Sequence, residues 1–488
     1  MRKLILFVTF LLSAVCLLSA QEARTLSGKV VDENGEALIG AGVVLPGGTR
    51  GTVTDLDGKY TLQLKADDAA YSGGTEIPAI GGVVAKAGAK VEDTALKIQD
   101  CKNSGEVSGT VWNSSNIRIG GIVGWTSIPV VGTGANTLEN SGDVALKSST
   151  TFKTAYVGGV IGHSISTCDK IYNTGNITVN QKSTTDNQNA YVGGAAGYMS
   201  KAAGGVFKQV QNRGNVTVTS TSAKTVSNIG GCIGRGESTS VTSNGNSWAT
   251  CNTNYGKITV NVPAVVYVGG VIGYPGKGDG IGSTPSEFKY CKNGGDIEVI
   301  SPADKSYIGG VFGYQYRGAL GNANACGQAS DKVSIKVTGA TAATCVGAYV
   351  GMMYTDHGKV NGQYHTMRIS GCGIYGSIDA EGATAGVVAG RLEWMGGSTT
   401  NCALLGSNAS ERPKISKAFT LNGVKVGDLL VAGTHTVNTF FGTIVPSSNS
   451  AMTFTGPDGE PMLGRYLFFA SGSKTTASPY IDGLQFAD

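Results

Sequence analysis

The sequence predicts an all-β chain whose body is a right- or left-handed β-solenoid of about nine repeats of roughly 38 residues. Three observations carry that expectation. Two adjacent glycines, two apolar residues and a third glycine recur from Gly120, Gly158, Gly193, Gly230, Gly269 and Gly309, with degenerate copies from Gly81, Gly347 and Gly386. A second phrase, Asn-x-Gly-x followed by Val or Ile, falls in the same period, its asparagine at Asn103, Asn140, Asn173, Asn212, Asn254 and Asn293. Between the phrases apolar and polar residues alternate, as in Ile177-Thr178-Val179, and each of the 75 glycines would cost a helix interior about 1 kcal/mol. A unit this short cannot bury its own apolar face, so neighbours must stack on it.

Residues 1–20 read as a secretory signal: Arg2 and Lys3, an apolar run from Leu4 to Leu18, and small residues before Gln21, with cleavage after Ala20. Lipidation at Cys16 stays open, although Val15 stands where a small residue normally precedes a lipid-carrying cysteine. No later stretch has 18 continuous apolar residues, so no transmembrane helix is expected. The formal charge of +4 falls to +2 without Arg2 and Lys3. That balance carries neither a nucleic-acid footprint nor an anionic-membrane patch.

Residues 21–68 differ in kind. Leu26-Ser27-Gly28-Lys29-Val30-Val31-Asp32-Glu33-Asn34-Gly35, followed by Gly51-Thr52-Val53-Thr54-Asp55-Leu56-Asp57-Gly58-Lys59-Tyr60, alternates as strands do and carries hairpin signals at Asn34-Gly35 and Asp57-Gly58. This segment resembles the carboxypeptidase-regulatory-like (transthyretin-like) β-sandwich module. In related proteins that module precedes outer-membrane receptors and many surface proteins of Gram-negative gut bacteria. The later strands of the module are missing here, so a partial sandwich is expected to rest on the first rung as a cap. The resemblance does not imply peptidase activity: none of His163, His357, His365 and His435 is followed by Glu three residues later.

Residues 69–410 form the repeat body, and their glycine phrases resemble the GLUG-type motif of bacterial secreted and cell-surface proteins. The pattern lapses near Gly327-Gln328-Ala329 and at Val387, which replaces the second glycine. Nine cysteines follow the signal. Cys101, Cys291, Cys372 and Cys402 share the slot of Leu138, Ile171 and Val210, and Cys232 shares that of Val160 and Val271. They read as small core residues rather than a disulfide framework, and no pair has zinc spacing. The position after the second-phrase glycine runs Glu106, Asp143, Asn176, Asn215, Lys257, Asp296, too varied for a calcium ladder. Residues 411–488 lose the period and read as short strands, with a turn at Gly456-Pro457-Asp458-Gly459, forming a C-terminal β cap.

Aromatic residues flank the glycine phrase on both sides. Tyr156, Tyr191, Tyr267 and Tyr307 precede it; Trp125, His163, Tyr198, Tyr274 and Tyr314 follow it. Facing outward, the second file would be a flat strip suited to sugar rings or a partner's apolar surface; facing inward, both files are core. No catalytic residues emerge, since no serine sits in a nucleophile elbow with matching His and Asp, and no acids cluster in register. No cofactor and no metal are expected. The reading is a non-catalytic exported, adhesin-like scaffold at the cell surface or outside the cell, contacting glycan or a cell-surface protein. A solenoid-type polysaccharide-degrading enzyme and a structural accessory of an outer-membrane complex, periplasmic or membrane-associated, remain as alternatives.

Overall fold

The computed structural model describes residues 24–29, 36–37, 42–44, 51–64, 79–88, 97–111, 116–133, 138–148, 154–181, 188–201, 207–223, 225–238, 249–250, 252–278, 287–316, 319–320, 326–328, 332–355, 359–360, 363–364, 368–369, 372–394, 413–435, 437–445 and 484–487. The expected signal, Cys16, Cys402 and the turn at 456–459 lie outside them. The repeat body is a β-solenoid with four parallel sheets. One full rung shows the plan: Val265–Gly269 lies in the first sheet, Ile272–Gly278 in the second, Glu287–Lys289 with Lys292–Asn293 in the third, and Ile297–Ile300 in the fourth. Among the described residues the first sheet stacks nine strands, and their last residues are Gly81, Gly120, Gly158, Gly193, Gly230, Gly269, Gly309, Gly347 and Gly386. These are the nine phrases legible in the sequence.

Neighbouring rungs pair in register, so each side chain sits over its counterpart one rung away. The core follows from that alternation. Val144 and Leu146, Ile177 and Val179, Val216 and Val218, and Ile258 and Val260 point inward from the fourth sheet. They meet Ile119, Val157, Val192, Ile229 and Val268 of the first, all fully buried. Cys232 occupies the slot of Val160 and Val271 as read from the sequence, with no exposure, and Cys291 and Cys372 are buried in the slot of Leu138 and Ile171. Burial pushes the Cys168 thiol up to about 12, as expected of a thiol acting as an apolar core group.

The two sequence phrases interlock. Asn103, Asn140, Asn173, Asn212 and Asn254 each donate through Nδ2 to the Oδ1 of the next asparagine, at 2.7–2.9 Å. Each also donates to the carbonyl of the glycine two residues on, as Asn173 does to Gly175 O at 2.7 Å. All six ladder residues are buried. Room for the ladder comes from the second glycine of the first phrase: a Cβ on Gly159 would lie 2.4 Å from Asn173 Cγ and 2.2 Å from Gly194 O. The third glycine serves a different contact, since a Cβ on Gly273 would lie 2.5 Å from the backbone nitrogen of Ile229 in the first sheet. The varied position after the second-phrase glycine also has a structural use. Asp143 Oδ1 accepts from Asn176 N, Asn176 Oδ1 from Asn215 N, and Asn215 Oδ1 from Lys257 N. Any short side chain with an oxygen serves there, which accounts for the mixed Asp and Asn.

Connections differ in how much length they tolerate. From Asn103, Asn140, Asn173, Asn212, Asn254 and Asn293 the chain always reaches the fourth sheet four residues on, at Val107, Val144, Ile177, Val216, Ile258 and Ile297. From the second sheet to the third, by contrast, it passes from Ser164 to Cys168 in one rung and from Thr355 to Arg368 in another, where the antiparallel pair Lys359–Val360 and Gln363–Tyr364 lies between. Within the third sheet, Asp100, Lys170, Gln209 and Tyr290, each three residues before a ladder asparagine, adopt a left-handed backbone with φ of 52–55°.

Both ends are covered. Arg24–Lys29 pairs antiparallel with Lys59–Leu64, and Gly42–Val44 with Gly51–Val53. The Asp57-Gly58 turn forms as expected, with Asp55 Oδ1 accepting from Asp57 N and Lys59 N. Tyr60, 2% exposed, donates to Gly82 O at 2.7 Å and so seats this head on the first rung. At the other end short strands are present as read from the sequence, and beside them helices span Val426–Ala432 and Val437–Phe441. The second helix supplies backbone acceptors to the last rung, with Val388 N donating to Phe440 O at 2.8 Å, and fully buries Phe440 and Phe441.

Four substitutions test this plan by denaturant unfolding and hydrogen exchange of the flanking rungs. Asn173→Ala orphans Gly175 O and Asn212 Oδ1 and is expected to cost about 3 kcal/mol. Asn173→Asp should cost more, because a carboxylate sets acceptor against acceptor. Gly159→Ala should cost about 3 kcal/mol through backbone displacement. Gln209→Gly, relieving a left-handed backbone at an exposed residue, should be neutral or stabilising by up to about 1 kcal/mol.

Candidate binding surface

The aromatic files flanking the glycine phrase come together as one strip. In the second sheet Lys86, Trp125, His163, Tyr198, Arg235 and Tyr274 lie in register on successive rungs. Tyr314 continues the row, its ring stacked on Tyr274 with centroids 5.2 Å apart. In the first sheet the row is Arg118, Tyr156, Tyr191, Asn228, Tyr267 and Tyr307. From Trp125 to Tyr314 the strip crosses six rungs, about 24 Å at the usual strand spacing.

The rings of the two files interleave. Tyr156 stacks on His163 at 5.2 Å and also touches Tyr191 and Tyr198. Tyr267 stacks on Tyr307 at 5.3 Å with an interplanar angle of 8°, and Tyr314 packs against both. Trp125, Tyr198, Tyr274 and Tyr314 are half-buried, while His163 and Tyr191 are 8% exposed. Because rings face rings along the solenoid axis, the strip presents edges and hydroxyl groups rather than open ring faces. It is thus neither plain core nor the flat stacking platform that one outward file would make.

Cations are built into the strip. Arg118 lies over Trp125 at 5.6 Å and over Tyr156 at 5.8 Å. Arg235 lies between Tyr191 at 5.1 Å and Tyr274 at 4.8 Å, and its Nη1 donates to Tyr191 Oη at 3.0 Å. Guanidinium over an aromatic face is favourable by about 0.5–2 kcal/mol according to desolvation. Sequence reading passed over both arginines because it followed aromatic residues alone; the register recovers them, since they fill aromatic slots.

Burial sets the protonation of the strip. Desolvation first, and then the Arg118 charge, lower His163 to about 3, so it is neutral at physiological pH, with Nε2 3.3 Å from Ser200 Oγ. Burial raises Tyr307 to about 12 and also raises Tyr267 and Tyr314, which therefore keep their hydroxyl protons. The strip offers O–H and guanidinium N–H donors. Among the described residues no three His, Cys, Asp or Glu side chains gather around a common point.

Residues 26–71 match the CarboxypepD_reg-like domain. That stretch is the head described above, with its two antiparallel strand pairs and the Tyr60 contact. No curated protein and no solved structure matches the chain. Among the described residues no helix is long and apolar enough to cross a membrane.

The histidine predicts a specific acid sensitivity. Its folded pKa lies below the unfolded value of 6.5, so the unfolded state takes up the proton first and stability falls as pH drops from 6.5 towards 3. The slope from this group is at most about 1.4 kcal/mol per pH unit. His163→Tyr should remove that component, so the stability difference between variant and parent should widen in favour of the variant from pH 6.5 to pH 4. Parallel curves over that range would contradict it.

Proposed function

We propose that this chain is a non-catalytic, exported, adhesin-like binding scaffold that contacts glycan or a cell-surface partner along the solenoid. The observation that carries this reading is the continuous aromatic and guanidinium strip, held at fixed spacing by in-register rungs. Such a strip suits an elongated ligand, because each rung repeats the contact at the same interval. The protonation of the strip favours binding over catalysis: a histidine held at about 3 and a tyrosine raised to about 12 exchange no protons near neutrality.

The head module supports a place among exported proteins, as do the basic and apolar residues at the start of the sequence and the GLUG-type phrasing of the repeats. On this reading the mature chain works at the cell surface or outside the cell of a Gram-negative bacterium, retained by or released from the outer membrane.

The test is to incubate the purified chain with immobilised mucin, matrix and plant polysaccharides, scoring both retention and released fragments. Retention without fragments is expected, and Tyr198→Ala with Tyr274→Ala should weaken it severalfold. Fragment release would replace the proposal with an enzyme, and absence of both signals would shift it to a structural or protein-partner role.

A further inference from the structure

The strip changes character at one rung. In the strand Thr225–Gly230 and the strand after it, Asn228 and Arg235 take the places held by Tyr191 and Tyr198 one rung before, and by Tyr267 and Tyr274 one rung after. The result is a polar rung between aromatic ones. Asn228 is 1% exposed and its Oδ1 accepts no hydrogen bond. A buried acceptor without a donor is destabilising, so the fold carries a penalty that a bound donor would remove. Arg235, between its two rings, brings a guanidinium to the same rung.

The charge of the strip adds a second, independent observation. Its two files contain Lys86, Arg118, Arg235 and Arg391 but no Asp or Glu at any register position. The carboxylates next in line, Glu237 and Glu393, stand two residues beyond an arginine, and Glu393 pairs with Arg391 at 2.9 Å. Donors and positive charge therefore dominate the register positions of a surface in which the buried Asn228 Oδ1 lacks a donor.

We infer that the strip binds an acidic polysaccharide, and that the rung of Asn228 and Arg235 is the subsite that distinguishes it from a neutral one. A sugar carboxylate would meet the Arg235 guanidinium, and a sugar hydroxyl would donate to Asn228 Oδ1 once the side chains covering it part. The tyrosine edges on either side would flank the neighbouring sugar units. This inference rests on the proposed binding function and adds to it the chemical class of the ligand.

The test measures retention of the full chain on polygalacturonate, on neutral amylose and on dextran sulfate at several salt concentrations. Polygalacturonate should retain the chain at least tenfold more strongly than amylose, and Arg235→Gln should lower that retention about tenfold while leaving the circular dichroism spectrum unchanged. Asn228→Leu supplies a readout that separates binding from folding. It should raise the melting temperature, because an apolar group replaces the orphaned acceptor, and should still weaken retention. Equal retention on amylose, or Asn228→Leu retained as well as the parent, would overturn the inference while leaving a general glycan scaffold standing. Equal retention on dextran sulfate, unaffected by Asn228→Leu, would reduce the site to a nonspecific polyanion contact and also overturn it. Retention on none of the three would remove the scaffold reading itself.

Discussion

The solenoid depends on a single steric and polar coincidence, an asparagine amide lying in the gap left by a glycine. Parallel in-register stacking brings identical side chains face to face, and for a buried polar group that is normally unfavourable. The carboxamide escapes because it carries donor and acceptor together. One Nδ2 satisfies the next rung and its own corner carbonyl, while Oδ1 accepts from the rung before. The gap admits the amide only because Gly121, Gly159, Gly194, Gly231 and Gly270 have no side chain. From Asn103 to Asn293 the second glycine of one phrase and the asparagine of the other depend on each other, so both recur at the same interval.

That coupling explains what could be read from the sequence. Repeated residues have repeated partners, so nine strand ends, the core slots of Cys232 and Cys291, and the inward alternation of Ile177 and Val179 were all legible. Features specific to one rung were not. Asn252 sits fully buried where Val210 and Cys291 mark an apolar slot, and it joins Val210 N and Phe207 O across the rungs. The short helices at Val426–Ala432 and Val437–Phe441 have too few turns for a helical period to show, although Gly433 in the left-handed conformation closes the first. The aromatic strip was legible as two files. Their merger was not, because the glycines between them hide the bend that brings Tyr267 beside Tyr274.

Rung spacing also shapes the strip. Strands repeat at about 4.8 Å, wider than the separation at which flat rings touch face to face. One tyrosine per rung would leave gaps, whereas two files bending towards each other fill them, with tilts from 8° to 62°. Where both files turn polar, at Asn228 and Arg235, the guanidinium spans the interval and touches rings on the rungs to either side.

Length is fixed at the asparagine corner and variable elsewhere, which gives the molecule a division of labour. The four-residue step from each ladder asparagine into the fourth sheet admits no insertion without breaking an amide contact. The passage from the second sheet to the third is outside that ladder and is as short as Ser164–Cys168 in one rung and as long as Thr355–Arg368 in another. Insertions and deletions can therefore accumulate along one edge, beside the strands that carry the second aromatic file, while every rung keeps its place. The solenoid is a ruler with fixed graduations and editable margins.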